Sequence, residues 1–168
     1  EILLDDFYPY NTGAYISSYK DGSAVFSVTE DGKIKYIYID KNGKKYFDDC
    51  FDDAYPFSED LAVAEKNGKR GVIDKTGEFV YCNDGVSGEY AEGYVEFCIE
   101  TADSQKYGFL DRSGNIAISA KYDYIYKDFL NGAALVREGE KLTYIDHDGN
   151  EIYSFDKPED KNMGWALY

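Results

Sequence analysis

Ile73-Asp74-Lys75-Thr76-Gly77 decides the fold, because its pattern of an aliphatic residue, Asp, two variable residues and Gly recurs along the chain. The other copies are Ile39-Asp40-Lys41-Asn42-Gly43, Leu110-Asp111-Arg112-Ser113-Gly114 and Ile145-Asp146-His147-Asp148-Gly149. The steps between successive motif Asp residues are 34, 37 and 35. Recurrence at this period is typical of a tandem array of small structural units.

A second motif precedes each copy: an aromatic residue, two variable residues, usually Gly, one residue, and a small apolar residue. Its copies are Tyr19 to Ala24, Phe57 to Ala62, Tyr90 to Val95 and Phe129 to Ala134, with a partial fifth copy at Gly164-Trp165-Ala166-Leu167. The two motifs divide the chain into a partial repeat or N-terminal cap (1–18), four repeats (19–56, 57–89, 90–128 and 129–160) and a final partial repeat (161–168).

Each repeat is predicted to be a three-stranded antiparallel meander. In the second repeat we expect strands at 61–66, 70–74 and 78–81, with Asn67-Gly68 as a two-residue hairpin turn. The middle strands are apolar on both faces, which predicts that both faces are covered by other parts of the protein. One of these faces carries Tyr38, Val72, Phe109 and Tyr144. The fold class is therefore all-β, as an open solenoid-like stack of meanders or, alternatively, a small propeller-like ring.

The repeats alternate in length. The separation from the small apolar residue to the motif Asp is 16, 12, 16 and 12 residues. Two extra residues on each hairpin arm keep the same side chains facing inward, because two is the side-chain period of a strand. We expect a two-repeat unit with longer, projecting hairpins in the first and third repeats, around Asp31-Gly32 and Thr101-Ala102-Asp103-Ser104.

Composition excludes some partners. The chain has 168 residues, of which 33 are acidic and 18 basic, giving a formal net charge of −15. Such a chain is repelled by nucleic acid and by anionic membrane surfaces. No apolar run is long enough to span a bilayer and no signal peptide is seen. Because the chain begins at Glu1, we expect a processed or excised piece of a longer polypeptide.

Candidate metal chemistry is weak. Cys50, Cys82 and Cys98 lack a CxxC spacing, and the sequence has a single His, His147, so we expect no Cys/His zinc site. One pair of Cys could form a disulfide, but we expect three small apolar side chains in or near the core. The motif Asp residues are better explained as acceptors of backbone N–H groups in Asx turns than as calcium ligands. A calcium ion needs about six to eight oxygen ligands, and each turn offers a single motif carboxylate. We therefore predict no metal and no cofactor.

Tyrosine is the candidate binding residue, with 18 copies. Tyr122, Tyr124 and Tyr126 alternate and so are predicted to share one face of an extended run, where they could anchor a protein or stack on sugar rings. Core packing is the competing interpretation for them, and capping is the competing interpretation for Trp165 in the partial repeat. Three acid pairs give weak support to glycoside hydrolysis: Asp5/Asp6, Asp48/Asp49 and Asp52/Asp53. That reaction needs two carboxylates that face one another, whereas neighbours in a strand point to opposite faces.

Phe57 to Val63 followed by Gly71 to Gly77, and Lys106 to Asn115, resemble bacterial WG (tryptophan-glycine) repeats. The departure is that no copy keeps the Trp of the Trp-Gly pair. The resemblance implies a protein often found at or beyond the bacterial cell surface and a repeat without its own catalytic residues. We therefore predict a non-catalytic module for protein–protein interaction, secreted or surface-attached, with a cytoplasmic location as the alternative. A carbohydrate- or cell-wall-binding module is the second hypothesis, and a glycoside hydrolase is the weakest.

Overall fold

The computed structural model describes residues 15–102 and 104–156, and the regular structure in these ranges is entirely β. The strands are β1 (Ala24–Glu30), β2 (Lys33–Ile39), β3 (Asp53–Ala54), β4 (Leu61–Lys66), β5 (Lys69–Asp74), β6 (Phe79–Cys82), β7 (Val95–Glu100), β8 (Gln105–Leu110), β9 (Ile116–Tyr122), β10 (Tyr124–Leu130), β11 (Ala133–Glu138), β12 (Lys141–Ile145) and β13 (Glu151–Asp156). No helix, and hence no helix able to cross a membrane, occurs in the described ranges. The all-β prediction is confirmed.

The strands form four antiparallel sheets in chain order. Sheet 1 is β1-β2, sheet 2 is β3-β4-β5-β6, sheet 3 is β7-β8-β9 and sheet 4 is β10-β11-β12-β13. No sheet closes into a barrel in the part of the chain that the structure describes. The prediction of repeated antiparallel meanders is therefore confirmed, although sheet 1 has two strands and sheets 2 and 4 have four instead of the predicted three.

Sheet 2 shows how closely the meander follows the sequence. β4, β5 and β6 lie within a residue of the predicted strands, and Asn67 and Gly68 adopt φ of 55° and 73° in the turn between β4 and β5. The sequence did not predict β3, in which Asp53 and Ala54 pair with Glu65 and Ala64. A two-residue strand is too short to show an alternating pattern, so this linker segment carried no recognisable signal.

The predicted alternation of hairpin length is confirmed. In the first hairpin the pairing runs from Ala24–Ile39 to Glu30–Lys33, whereas in the second it runs from Leu61–Asp74 to Lys66–Lys69 and extends a shorter way beyond Ala62, the equivalent of Ala24. The third again extends from Val95–Leu110 to Glu100–Gln105, and the fourth ends sooner at Glu138–Lys141. The tip around Asp31-Gly32 is exposed, and so are Thr101, Ala102 and Ser104, whereas Asp103 lies outside the described residues.

Each sheet packs on the next through one apolar cluster. Sheets 1 and 2 enclose Tyr38 and Phe57, whose rings lie 4.9 Å apart. Sheets 2 and 3 enclose Val72 and Tyr90, and sheets 3 and 4 enclose Phe109 and Phe129, again 4.9 Å apart. In each case the aromatic residue of the second motif covers the middle strand of the preceding sheet. The apolar repeat pattern is therefore what joins successive sheets.

Tyr144 corrects one expectation. The sequence predicted it to be covered like its equivalents Tyr38, Val72 and Phe109, which are at most 1% exposed, but Tyr144 is 40% exposed. The physical reason is its position on sheet 4. The equivalent residues are covered by the sheet that follows their own, and sheet 4 is the last sheet of the described residues.

A hydrogen bond from each repeat to the one before it fixes the stack. The second motif contains a turn with both central residues at positive φ, beginning at Asp21, Glu59, Glu92 and Asn131. The carboxylates of the first three, which we call the turn acids, accept the N–H of the next turn. The bonds are Asp60 N to Asp21 Oδ2 (2.6 Å), Gly93 N to Glu59 Oε2 (2.9 Å) and Gly132 N to Glu92 Oε2 (2.9 Å).

A basic side chain completes each of these contacts. Lys75 lies 3.5 Å from Asp21 Oδ2, Arg112 lies 3.3 Å from Glu59 Oε2, and His147 Nε2 lies 2.9 Å from Glu92 Oε2. Each basic residue directly follows a motif Asp and also lies against the second-motif aromatic of its own repeat. These contacts are Lys75 with Phe57 (4.2 Å), Arg112 with Tyr90 (5.8 Å) and His147 with Phe129 (4.7 Å). We call the turn acid, the N–H and the basic residue the inter-repeat clamp.

We expect Glu59→Ala to lower the free energy of unfolding by about 1 kcal/mol, because Glu59 loses both the Gly93 N–H and Arg112 but is partly exposed. Glu59→Gln keeps an acceptor for the N–H and should lose less. Urea unfolding followed by circular dichroism measures both. Glu140→Ala, at an exposed turn, is the matched control. A loss from Glu59→Ala no larger than that of the control would contradict the clamp.

Candidate interaction surface

The structure separates the three tyrosines predicted to share a face. Tyr122 ends β9 and is 3% exposed, whereas Tyr124 and Tyr126 lie in β10 and are 48% and 36% exposed. Between the two strands Asp123 holds a corner: its backbone N–H donates to Arg137 O, and its carboxylate accepts Gly139 N–H at 2.7 Å. The prediction of one extended run was wrong, because the chain bends here and leaves one sheet for the next.

Tyr107 takes the place that Tyr122 was expected to fill. The Tyr107 ring lies 6.2 Å from that of Tyr124 at an interplanar angle of 69°, and Tyr124 lies 4.9 Å from Tyr126 at 71°. We call Tyr107, Tyr124 and Tyr126 the tyrosine ledge. Its rings meet edge to face, so the ledge is a stepped surface and not a flat platform.

Tyr107 joins the ledge from the third hairpin. Tyr107 lies on β8 opposite Cys98, close to where the hairpin arm ends in Glu100 and Gln105. Ile99, which is 45% exposed, pairs with Lys106 and so points to the opposite face of this hairpin. The ledge itself offers exposed tyrosine rings, the kind of side chain that acts as an anchor in protein interfaces.

The ledge has charged neighbours of both signs: Glu96 lies near Tyr107, and Arg137 pairs directly opposite Tyr124. Burial raises the pKa of the Tyr107 hydroxyl, and the nearby Cys98 and Glu96 act in the same direction. Burial also raises the pKa of Glu96, although the Ser87 hydroxyl donates to its carboxylate at 2.9 Å. Further negative charge is therefore disfavoured at the Tyr107 end of the ledge.

Sequence inspection missed Tyr107 and Glu96 for a definite reason. Tyr107 pairs with Tyr122, but the pairing of β8 with β9 is irregular on both sides of Phe109. The register that brings the third hairpin to β10 is therefore not readable from alternation alone. The other predicted binding residue, Trp165, lies outside the described residues.

The motif Asp residues are turn acceptors. Asp40, Asp111 and Asp146 each receive two backbone N–H bonds within their turn, and Asp74 receives the Thr76 N–H at 2.7 Å. The pKa of all four carboxyls lies below its ordinary value. The largest cause is a side-chain donor for Asp74 (Thr76) and Asp111 (Asn115), and a backbone N–H for Asp40 and Asp146. No cluster of three or more metal-ligating side chains occurs in residues 15–102 and 104–156.

The acid pairs proposed for glycoside hydrolysis are engaged in ion pairs. Lys35 donates to Asp52, Arg70 lies 2.8 Å from Asp53, and Lys66 lies 2.6 Å from Asp49. Asp5 and Asp6 lie outside the described residues. Asp49, Asp52 and Asp53 thus each bind a basic side chain of their own fold.

The cysteines are free thiols. Cys50 and Cys98 are partly buried, but Cys82 is exposed, so the expectation that all three lie in or near the core was wrong for Cys82. Cys82 closes β6 at an outward position, where the strand alternates between partly buried and exposed residues.

Comparison with known proteins addresses the repeat. Residues 38–69 and 107–141 each match the family model described as WG containing repeat. The resemblance predicted from the sequence is therefore confirmed in these two stretches, each of which includes one copy of the Asp motif and the second motif that follows it. A search of curated proteins found no match to the chain.

The different exposure of the tyrosines gives a direct test of their placement. We expect Tyr122→Ser to lower the free energy of unfolding by about 3 kcal/mol, because it empties a core position. Tyr126→Ser should cost less than about 1 kcal/mol. Urea unfolding of the two variants measures the difference, and equal costs would mean that the two side chains are equally buried.

Acid sensitivity tests the turn carboxylates. Since the folded pKa of Asp111 lies below its unfolded value of about 3.9, the carboxylate stabilises the fold above that value, and this stabilisation is lost as pH falls through the folded pKa. Asp111→Asn should therefore lose less stability than the wild type between pH 5 and 3. Thermal unfolding across this range measures the effect. An equal loss of stability in the two proteins over this range would contradict the role given to Asp111.

Proposed function

We propose that this chain, a carrier of WG repeats, serves as a non-catalytic module for protein–protein interaction in a secreted or surface-attached bacterial protein. The observation that carries the proposal is the tyrosine ledge, three rings gathered from two sheets beside a projecting hairpin. The location rests on the resemblance to WG repeats alone.

The edge-to-face geometry favours a protein over a glycan. A pyranose ring stacks on a flat aromatic face, and adjacent sugars would need adjacent coplanar rings. Tyr124 and Tyr126 are inclined at 71°, so they offer one face and one edge. A folded protein surface can fill such a step with an aliphatic side chain and bond the hydroxyl groups.

Charge describes the partner further. The chain carries a net charge of −15, and Glu96 lies beside the ledge. A partner with basic groups around an apolar centre is attracted by this field, and an acidic one is repelled. We therefore expect association to be faster at low ionic strength.

A photo-crosslinking experiment tests the proposal. Benzoylphenylalanine at Tyr126 is compared with the same group at Ile116, which is 64% exposed on the edge strand of sheet 3. We expect a discrete protein adduct from the cell-surface fraction at Tyr126 only, lost when Tyr124→Ser is added to the same chain. The same adduct at Ile116, or adducts indifferent to Tyr124→Ser, would argue against the ledge as the contact.

The carbohydrate alternative is tested in parallel with insoluble peptidoglycan, chitin and cellulose. Wild type and the Tyr124→Ser/Tyr126→Ser double variant are sedimented with each polymer. We expect equal, negligible sedimentation of both. Binding by the wild type that the double variant loses would replace the protein partner by a glycan.

A further inference from the structure

The outward face of sheet 4 continues the interfaces that join the earlier sheets. Leu135, Tyr144 and Tyr153 pair across β11, β12 and β13, so their side chains share one face, which we call the outer face. The opposite face carries Ala134, Val136 and Ile145, which are at most 1% exposed in the cluster shared with sheet 3. Leu142 on the outer face is 8% exposed, so among the described residues one side of sheet 4 is fully covered and the outer face is only partly covered.

The outer face corresponds, position for position, to faces that are buried in the other repeats. Tyr144 stands two residues before its motif Asp, as do Tyr38, Val72 and Phe109. Each of those three is covered by the second-motif aromatic of the following repeat. Tyr144 and Tyr153 are 40% and 63% exposed, and Phe155 lies 6.5 Å and 6.1 Å from their rings. The outer face therefore resembles the buried interfaces in its residues, but no following repeat covers it among the described residues.

The fourth repeat also contains the turn from which the inter-repeat clamp is built. Asn131 and Gly132 adopt φ of 54° and 80°, the same turn that carries the turn acids at Asp21, Glu59 and Glu92. The side chain of Asn131 makes no hydrogen bond with any described residue, whereas the three turn acids all bond to the repeat that follows them. An amide oxygen accepts an N–H as a carboxylate does, though without the ion pair.

We propose that the outer face is the docking surface for the partial repeat 161–168 of the same chain, which contains Gly164-Trp165-Ala166-Leu167. The argument is continuity with three interfaces of the same construction. The turn residues that donate to Asp21, Glu59 and Glu92 are Asp60, Gly93 and Gly132, and Gly164 holds their place in the motif. By the same rule Asn131 is its acceptor.

Trp165 is the only Trp in the chain and reports on this docking. In the full 168-residue protein we expect its fluorescence to be blue-shifted and shielded from acrylamide, independently of protein concentration. The Tyr144→Ser/Tyr153→Ser double variant should shift the emission to the red and increase quenching. The matched control, Tyr15→Ser/Tyr19→Ser, removes two exposed tyrosines that precede sheet 1 and should leave Trp165 unchanged.

Three outcomes would overturn the proposal: Trp165 freely quenched in the wild type, shielding unaffected by the outer-face variant, or shielding that appears only at concentrations where the protein dimerises. The last would assign the face to a second copy.

A second variant remains informative if the outer-face variant fails to fold. Asn131→Glu restores the acid found in the other three turns, and we expect it to raise the urea midpoint detected by Trp165. An unchanged or lowered midpoint would contradict the role given to Asn131. Asn42→Glu, an exposed turn residue, is the control.

Discussion

The stack depends on a carboxylate placed in a left-handed turn where it meets the backbone of the next repeat. Sheets of two to four strands have too little apolar area to be stable alone, so each must be held against its neighbour. Asp21, Glu59 and Glu92 do this by accepting a backbone N–H and contacting a basic side chain at one point. Because the N–H has a fixed position in its turn, the bond fixes the register of one repeat on the next. The apolar clusters then supply most of the stabilisation.

The tyrosine ledge exists because side chains of two sheets meet at one corner. Tyr107 stands four residues before its motif Asp, as Arg70 and Leu142 do in the shorter hairpins, and Phe109 on the same strand is buried in the core. The corner at Asp123 turns the chain so that Tyr124 meets Tyr107 from another sheet. Tyr124 also pairs with Arg137, and Arg137 pairs with Leu142, so the ledge borders the outer face of sheet 4.

Much of the fold was predictable, because local chemistry dictates it. Asn67-Gly68 specifies a turn with positive φ, the motif Asp specifies an Asx turn, and the 16/12 alternation specifies hairpin length. The clamp was not predictable, since its basic members are Lys75, Arg112 and His147, three residue types at a position that looks variable. They share only a capacity for positive charge, and that similarity becomes visible once the acids facing them are known. The bend at Asp123 was missed for a similar reason: three alternating tyrosines follow the period of a single strand, and the partners that make the corner, Arg137 and Gly139, lie in another repeat.

The interchangeability of the clamp bears on how such a gene can change length. Any turn acid of this chain fits any of the three basic residues, since Lys, Arg and His all serve. Excision of the third repeat, for instance, would set Glu59 against His147 and still unite an acceptor with a basic donor. Hairpin length is less permissive, because losing one repeat places two short or two long hairpins side by side. Recombination in steps of two repeats preserves both features, so the pair of repeats is the natural increment by which these arrays grow and shrink.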